Sequence, residues 1–353
     1  MIYLDYQATT PLAPEALKAM LPWLEQGHAN PHSPHRAGRQ AKAAVEVARD
    51  QVAALLPPGG RVVFTSGATE ALNWAIKGAG GGIITTAIEH AAVLDTAAAT
   101  GRSLTILPVD GEGLVSPEPV GRGVGLVAAM LVNNEIGTIQ PVAALAEEAH
   151  RAGAWMLCDA VQGYGRVAIP GNVDLIALSA HKIHGPKGIG ALWIRDGITL
   201  PPLLHGGDQE GGRSGTLSPA LCAGFGAAAK LMAARSEEDA AHVERLWSLA
   251  IDRLSSGWTL SGSATQRYRG NLNVRRDGLD VGRLMSDCRD IAFSAGSACA
   301  SGSGRPSHVL TALGLTGGQA RCSIRLGFGR YTTEAELVEA IDRLREAAEG
   351  QRP

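Results

Sequence analysis

The stretch Val173–Lys182, VDLIALSAHK, is an apolar run that ends abruptly in Ser179, His181 and Lys182. A short run of branched apolar residues reads as a strand buried on both faces, as in a parallel sheet covered by helices. The polar residues would then stand at the C-terminal end of the strand, where open α/β sheets bind ligands. The same phrasing recurs upstream. RVVF (61–64) reads as a strand leading through TSGATE into a helix that starts at Ala68. GIITT runs toward Glu89 and His90, GLVAAMLV into Asn133 and Asn134, and AWMLC into Asp159. Strands alternating with helices predict an α/β fold built on a mostly parallel, doubly wound sheet.

Downstream the pattern changes. Two long helical patterns follow RSGT and reach about Ser256. Beyond them NLNVRR and SIRLGFGR read as strands, VGRLMSDC and PSHVLTALG as helices, and TTEAELVEAIDRLREAAEG as a terminal helix. Thr333 and Glu336 have capping-box spacing at its start. The expected division is a large domain over 12–250 and a smaller α+β domain formed by 1–11 and 251–353.

The 353 residues suffice for two domains, and 45% hydrophobic content with 19% charge is that of a globular chain. A net charge of −2 gives no basic footprint for nucleic acid or a membrane surface. The opening MIYLDYQATTPLAPEAL reads as neither a signal nor a transit peptide. No apolar run reaches spanning length without Gly or charge. Five scattered cysteines, none in a C-x-x-C arrangement, suggest a reduced cytoplasmic protein with free thiols.

Only six of the 32 basic residues are Lys, and two of those lie in SAHKIHGPKG. Arg is the better permanent cation, whereas a desolvated Lys can lose its proton and condense with a carbonyl. A lone loop lysine is ordinarily just solvated, so its neighbours must decide. TSGATE supplies a helix N-terminus with hydroxyls, which is either good capping or an anion site. Asp159 is either a helix N-cap or a buried carboxylate that needs a partner. His90 is either a structural hydrogen-bonder or a functional base. Taken together they match pyridoxal 5′-phosphate, which needs an amine, a carboxylate for its ring nitrogen and donors for its phosphate. Lys182 offers the amine and Asp159 the carboxylate. The Ala68-Thr69 turn, Ser179 and His181 offer the donors.

With these residues placed, the chain resembles the cysteine desulfurases of the NifS/IscS type, in the class-V aminotransferase family of fold-type-I pyridoxal-phosphate enzymes. The likeness is carried in order by YLDYQATTPLAPEAL, FTSGATEALNWAIKG, TAIEHAAVL, VNNEIGTIQPV, DAVQGYGRV, SAHKIHGPKGIGALWI, RSGT, GSACASGSGRPSHVL and SIRLGFGRYTTEAEL. It implies a seven-stranded, mostly parallel sheet in the large domain. It also implies that Lys182 binds the cofactor aldehyde and moves the substrate α-proton, with Asp159 on the pyridine nitrogen. Gln162 would meet the ring's phenolic oxygen beside Asn134, and His90 would stack on the ring and move protons. Ala68, Thr69, Ser179 and His181 would hold the phosphate. Thr216 would reach the phosphate of a second subunit, implying a homodimer, and Arg325 would fork onto the substrate carboxylate, with Asn134 nearby.

The same resemblance makes L-cysteine the substrate and L-alanine the product, with sulfur held as a persulfide on Cys299. Independently of it, Cys299 stands out in SAGSACASGSG. Cys158, Cys222, Cys288 and Cys322 lie in apolar helix or strand patterns and read as small core residues, whereas Cys299 has only Gly, Ser and Ala around it. Such a segment suits a carrier that must reach both the cofactor and an outside acceptor. An iron–sulfur scaffold and a tRNA-thiolation relay both fit as acceptors, and Cys299 could also ligate a transient iron–sulfur cluster.

Two other motifs carry little. HANPHSPH (28–35) matches no zinc spacing, and KGAGGG precedes a strand where a dinucleotide loop would follow one. The alternatives are a selenocysteine lyase or another pyridoxal-phosphate lyase or aminotransferase, and a non-catalytic paralogue. The last would be expected to lack Lys182, Asp159 or Cys299. Two departures from the family pattern are visible. HGGDQEGGRSGT is one residue shorter than the usual loop, and LGFGR stands where LSLGR-like text is common.

Overall fold

The computed structural model describes residues 1–207, 209–254, 256–295 and 306–351. The chain starts with β1 (Ile2–Tyr3), followed by α1 (Pro14–Glu25) and α2 (Arg36–Ala53). Next come β2 (Gly60–Thr65), α3 (Ala68–Gly78), β3 (Gly82–Thr86), α4 (Ala91–Ala99), β4 (Leu104–Leu107), β5 (Val124–Met130) and α5 (Val142–Arg151). Then β6 (Trp155–Asp159), β7 (Leu175–Ser179), β8 (Gly190–Arg195), α6 (Pro219–Ala234) and α7 (Ser236–Leu254) follow. The remainder is β9 (Thr259–Leu260), β10 (Asn271–Arg275), α8 (Val281–Asp287), β11 (Ile291–Ala292), β12 (Ser294–Ala295), α9 (His308–Ala312), α10 (Gly317–Arg321), β13 (Ser323–Gly327) and α11 (Glu334–Glu349).

The main sheet has seven strands in the order β2-β8-β7-β6-β5-β3-β4. All five residues of β7 are buried, as its unbroken apolar text requires. One apolar layer beneath the sheet includes Val62, Phe64, Met156, Ile176 and Phe225, and the other includes Val63, Trp74, Leu157, Leu175 and Leu192. These two sets alternate along β2, β6 and β7, as a pleated strand buried on both faces dictates.

The sheet is mixed. β8 runs antiparallel to both β2 and β7, while the other pairings are parallel. The segment 180–189 between β7 and β8 holds only a short 3₁₀ turn, Ala180–Lys182. That is too short for a helical crossover, so the chain must return antiparallel. His184 adopts φ of 68° in this return, a left-handed conformation rare for a side-chain-bearing residue. Its N–H is held by Thr10 Oγ1 at 2.7 Å.

Gly190 lies where β8 meets both Thr65 and Ser179. A Cβ there would stand 2.4 Å from the Leu178 carbonyl oxygen and 2.7 Å from the Gly67 carbonyl carbon. Both obstacles are backbone, so relief requires moving β7 or the entry to α3. Gly190→Ala is therefore expected to cost about 1–3 kcal/mol in urea denaturation. An unchanged midpoint would mean that the strand tolerates the shift.

A second apolar cluster gathers Ile2, Leu4, Trp247, Leu272, Ile324, Leu326 and Ile341. It lies under a four-stranded sheet, β12-β13-β10-β9, and is closed by α11 and the C-terminal half of α7. The N-terminus joins this cluster through β1, which pairs with β11. α11 starts with the capping box anticipated from its sequence, Thr333 and Glu336 each bonding the other's backbone N–H. Among the described residues, no helix is long and apolar enough to cross a membrane.

Candidate active site

A cavity of about 490 Å³ opens at the C-terminal ends of β2, β5, β6 and β7. Part of its wall comes from strands that stop and turn away at Asp159 and Ser179, and other parts from the start of α3, the N-terminal segment and Arg325 on β13. Ala68, Thr69, His90, Asn134, Asp159, Gln162, Ser179, His181, Lys182 and Arg325 all line it. Thr216 does not: it is exposed, outside the lining. Cys299 lies outside the described residues.

Lys182 follows β7 in the 3₁₀ turn. Its Nζ donates to the carbonyls of Gln7 and Ala8, the latter at 2.8 Å. Backbone oxygens of the N-terminal segment thus hold the amine in place. Beside it, burial pushes the His181 imidazole down to about 4, and the nearby Lys182 and Lys187 push in the same direction. His181 is therefore neutral near pH 7, with Nδ1 3.1 Å from Thr9 Oγ1.

Asp159 ends β6 and caps no helix. Its Oδ1 accepts from the Val161 N–H at 3.0 Å in a turn. Burial raises its pKa, while the Val161 N–H, His90 and Lys182 favour the ionised form. His90 is the N-cap of α4, and its Nδ1 accepts from the Ala92 N–H at 3.0 Å. That bond assigns the ring proton to Nε2. The structural role for His90 is thus real, and it leaves the other face of the ring for chemistry.

At the start of α3, the Ser66 N–H donates to Glu70 Oε2 at 2.7 Å. Arg213 grips the same carboxylate through Nε at 2.8 Å and Nη2 at 3.1 Å. Burial opposes ionisation of Glu70, but the bonds from Arg213 and Ser66 prevail and lower its pKa. Glu70 thereby straps the RSGT segment to the helix N-terminus.

Arg325, on β13, is 2% exposed. Nη2 pairs with Asp5 Oδ1 at 2.9 Å and Nη1 donates to the Asn134 carbonyl at 3.1 Å. Among the described residues its buried Nε has no partner. Gln162 donates through Nε2 to the Gln7 carbonyl at 3.0 Å. Its Oε1 and that of Gln7 are buried without partners among the described residues.

Several contributors were not singled out from the sequence. Gln7 and Ala8 act through their carbonyls, which no side-chain motif announces. Asp5 meets Arg325 across 320 positions of sequence. Lys187, the second lysine of SAHKIHGPKG, is part of the lining. Glu89, beside His90, is fully buried, and its Oε1 takes bonds from Thr86 Oγ1 at 2.5 Å and the Met130 N–H at 3.1 Å. Burial pushes its pKa up to about 8. His35, from the histidine-rich stretch, accepts the Gly38 N–H through Nδ1 and caps α2.

The chain matches the Aminotransferase class-V family over residues 2–340. It is 41% identical to the cysteine desulfurase IscS of Rickettsia bellii, covering 96% of this chain and 89% of that one. A solved NifS-like protein superposes with a TM-score of 0.90 at 32% identity, covering 98% of both chains. A second solved structure, SspA in complex with cysteine, superposes with a TM-score of 0.83 at 33% identity, covering 94% of this chain and all of that one. With lysine, aspartate, histidine and arginine walling one cavity on a fold-type-I framework, the chain belongs to the class-V aminotransferase family, as a cysteine desulfurase of the IscS/NifS type.

Proposed function

We propose that the protein is a homodimeric, pyridoxal-phosphate-dependent enzyme of the cytoplasm. It would convert L-cysteine to L-alanine and pass the sulfur, as a persulfide on Cys299, to an iron–sulfur scaffold or a sulfur-relay protein. The observation that carries this reading is the meeting of Lys182, Asp159, His90 and Arg325 around one cavity.

The donor set fits the cofactor. Unpartnered buried atoms, Gln162 Oε1, Gln7 Oε1 and Arg325 Nε, belong to residues of the wall, as expected where a polar ligand completes the bonding. Ala68, Thr69, Ser179 and His181 would hold the phosphate, with Thr216 reaching it in the second subunit. Asp159 would hold the ring nitrogen, Gln162 and Asn134 its phenolic edge, and His90 its face. When bound, pyridoxal phosphate supplies an aldehyde for the substrate amine and a ring that withdraws electrons from the α-carbon.

The chain's own groups do the rest. Arg325 forks onto the substrate carboxylate and fixes which bond faces Lys182. Lys182 Nζ, once it exchanges the Gln7 and Ala8 carbonyls for substrate, takes the α-proton. The Cys299 thiolate attacks the substrate sulfur. An S–S bond forms, the substrate Cβ–S bond breaks, and the electron pair stays on Cβ, which takes a proton; a proton returned to Cα from Lys182 Nζ completes alanine. Large and small domains over 12–250 and 1–11 with 251–353 are part of the same proposal, since Arg325 and Cys299 would come from the small one.

The deciding experiment incubates the purified protein with L-cysteine and a thiol reductant, following the visible cofactor band, alanine and sulfide together. Alanine and sulfide in equal amounts from a yellow protein are expected. A yellow protein that makes neither would remove cysteine from the proposal.

A further inference from the structure

A second cavity, of about 440 Å³, lies on the other side of the lysine turn, between α7 and the loop that carries Arg267 and Tyr268. The cavity is distinct from the cofactor cavity and shares no lining residue with it. Its charged wall consists of Arg166, Arg267, Arg269 and Arg330 against Asp239 and Glu244.

The two acids are already engaged. Asp239 takes Arg330 Nε at 3.1 and 3.0 Å, and Glu244 pairs with Arg269. Arg166 and Arg267 have no carboxylate partner among the described residues. Arg166 donates to the carbonyls of Gln162 and Lys182 and lies over the Tyr268 ring at 5.2 Å. Arg267 is 5% exposed and spends its Nη atoms on the carbonyls of Ser261, Ser263, Ile136 and Asn271. Among the described residues its buried Nε has no partner, nor has Nη1 of Arg330, whose side chain is 2% exposed.

A buried guanidinium with no anion is costly, because carbonyl dipoles only partly replace water or a counter-charge. Among the described residues the wall thus holds two cations with no carboxylate, Arg166 over the Tyr268 ring and Arg267 over the Trp247 ring at 4.3 Å, and two vacant N–H directions. His184, in the same wall, is pushed down to about 3, first by burial and then by Arg166, so it stays neutral and adds no charge of its own. Val167, Met232, Val243 and Ile139 give the wall an apolar part, with Ser236 and Thr265 adding hydroxyls.

We infer that this cavity is a second binding site, for a small oxyanion (phosphate or carboxylate) carried on an apolar body. Guanidinium forks match both headgroups, and the apolar wall takes the body. The site has a physical link to the catalytic one, because Arg166 donates to the backbone carbonyl of Lys182 itself. The inference stands apart from the desulfurase proposal and is tested by binding alone.

The probes are phenyl phosphate and benzoate, titrated calorimetrically into the holoenzyme at fixed ionic strength, with the cofactor's own phosphate filling the first site. Saturable binding of at least one probe is expected, and the tighter one identifies the headgroup. Arg166→Gln is expected to weaken it by at least about tenfold. Ala240→Glu, at an exposed position of the same wall, should abolish it while leaving the visible cofactor band unchanged. That variant keeps the test valid should Arg166→Gln fold poorly. Absence of saturable binding to the wild-type protein, or binding that survives Ala240→Glu undiminished, would overturn the inference. A preparation without a visible band would count against the cofactor reading and leave this test to be run on both probes in the same way.

Discussion

Lys182→Ala is expected to abolish the covalent cofactor band and to lower alanine formation by roughly 10⁴-fold or more, since in the proposed reaction one group would be both the attachment point and the base. Lys182→Arg sharpens the test. An arginine could still donate to the Gln7 and Ala8 carbonyls that hold Nζ, so the local fold and charge would survive. It could neither condense with an aldehyde nor give up its proton near neutral pH. Both variants should therefore fail alike, with unchanged thermal unfolding for the arginine form. Retention of more than about a tenth of the activity by Lys182→Arg would show that the residue contributes only charge, and would end the assignment.

Cys299→Ser should keep the cofactor band and lose alanine and sulfide production by at least about a hundredfold. The reason lies partly in the other cysteines. Cys158 and Cys222 are buried, and burial pushes their thiols up, Cys222 to about 12. Cys288 is also buried and shifted upward. A thiol that cannot ionise is a poor acceptor of sulfur. Cys322 is half-buried and stands outside the cavity lining. Cys322→Ser is the control and should leave turnover intact. Unchanged alanine production by Cys299→Ser would overturn its role.

Much of the fold was legible because apolar runs are local signals. β7, β6 and β5 announce themselves as unbroken hydrophobic text, and α3 begins at Ala68 as its sequence predicts. β8 was not recognised as antiparallel, since strand direction depends on the length of the connection and not on composition. Thr86 ends β3 short of Glu89, so the path to His90 is a turn rather than a strand end. Of the cavity-lining residues, Asp159 and Ser179 were legible because each closes such a run. What escaped was contact between distant segments: the Gln7 carbonyl on Lys182, Asp5 on Arg325, and arginines at 166, 267 and 330 around one cavity. A backbone oxygen leaves no trace in a side-chain pattern, and a charge cluster assembled across 164 positions has no spacing to read.

The four residues from Asp5 to Ala8 form a tether with two loads. One end holds the guanidinium of Arg325 and the other holds the amine of Lys182, through a chain too short to absorb slack. β1 roots this tether in the same apolar cluster as β13. In the proposed reaction, a tilt of that cluster on carboxylate binding would be felt at the lysine as a pull on its two carbonyl restraints. Grip at one end of the substrate and release of the amine at the other would then be a single mechanical event.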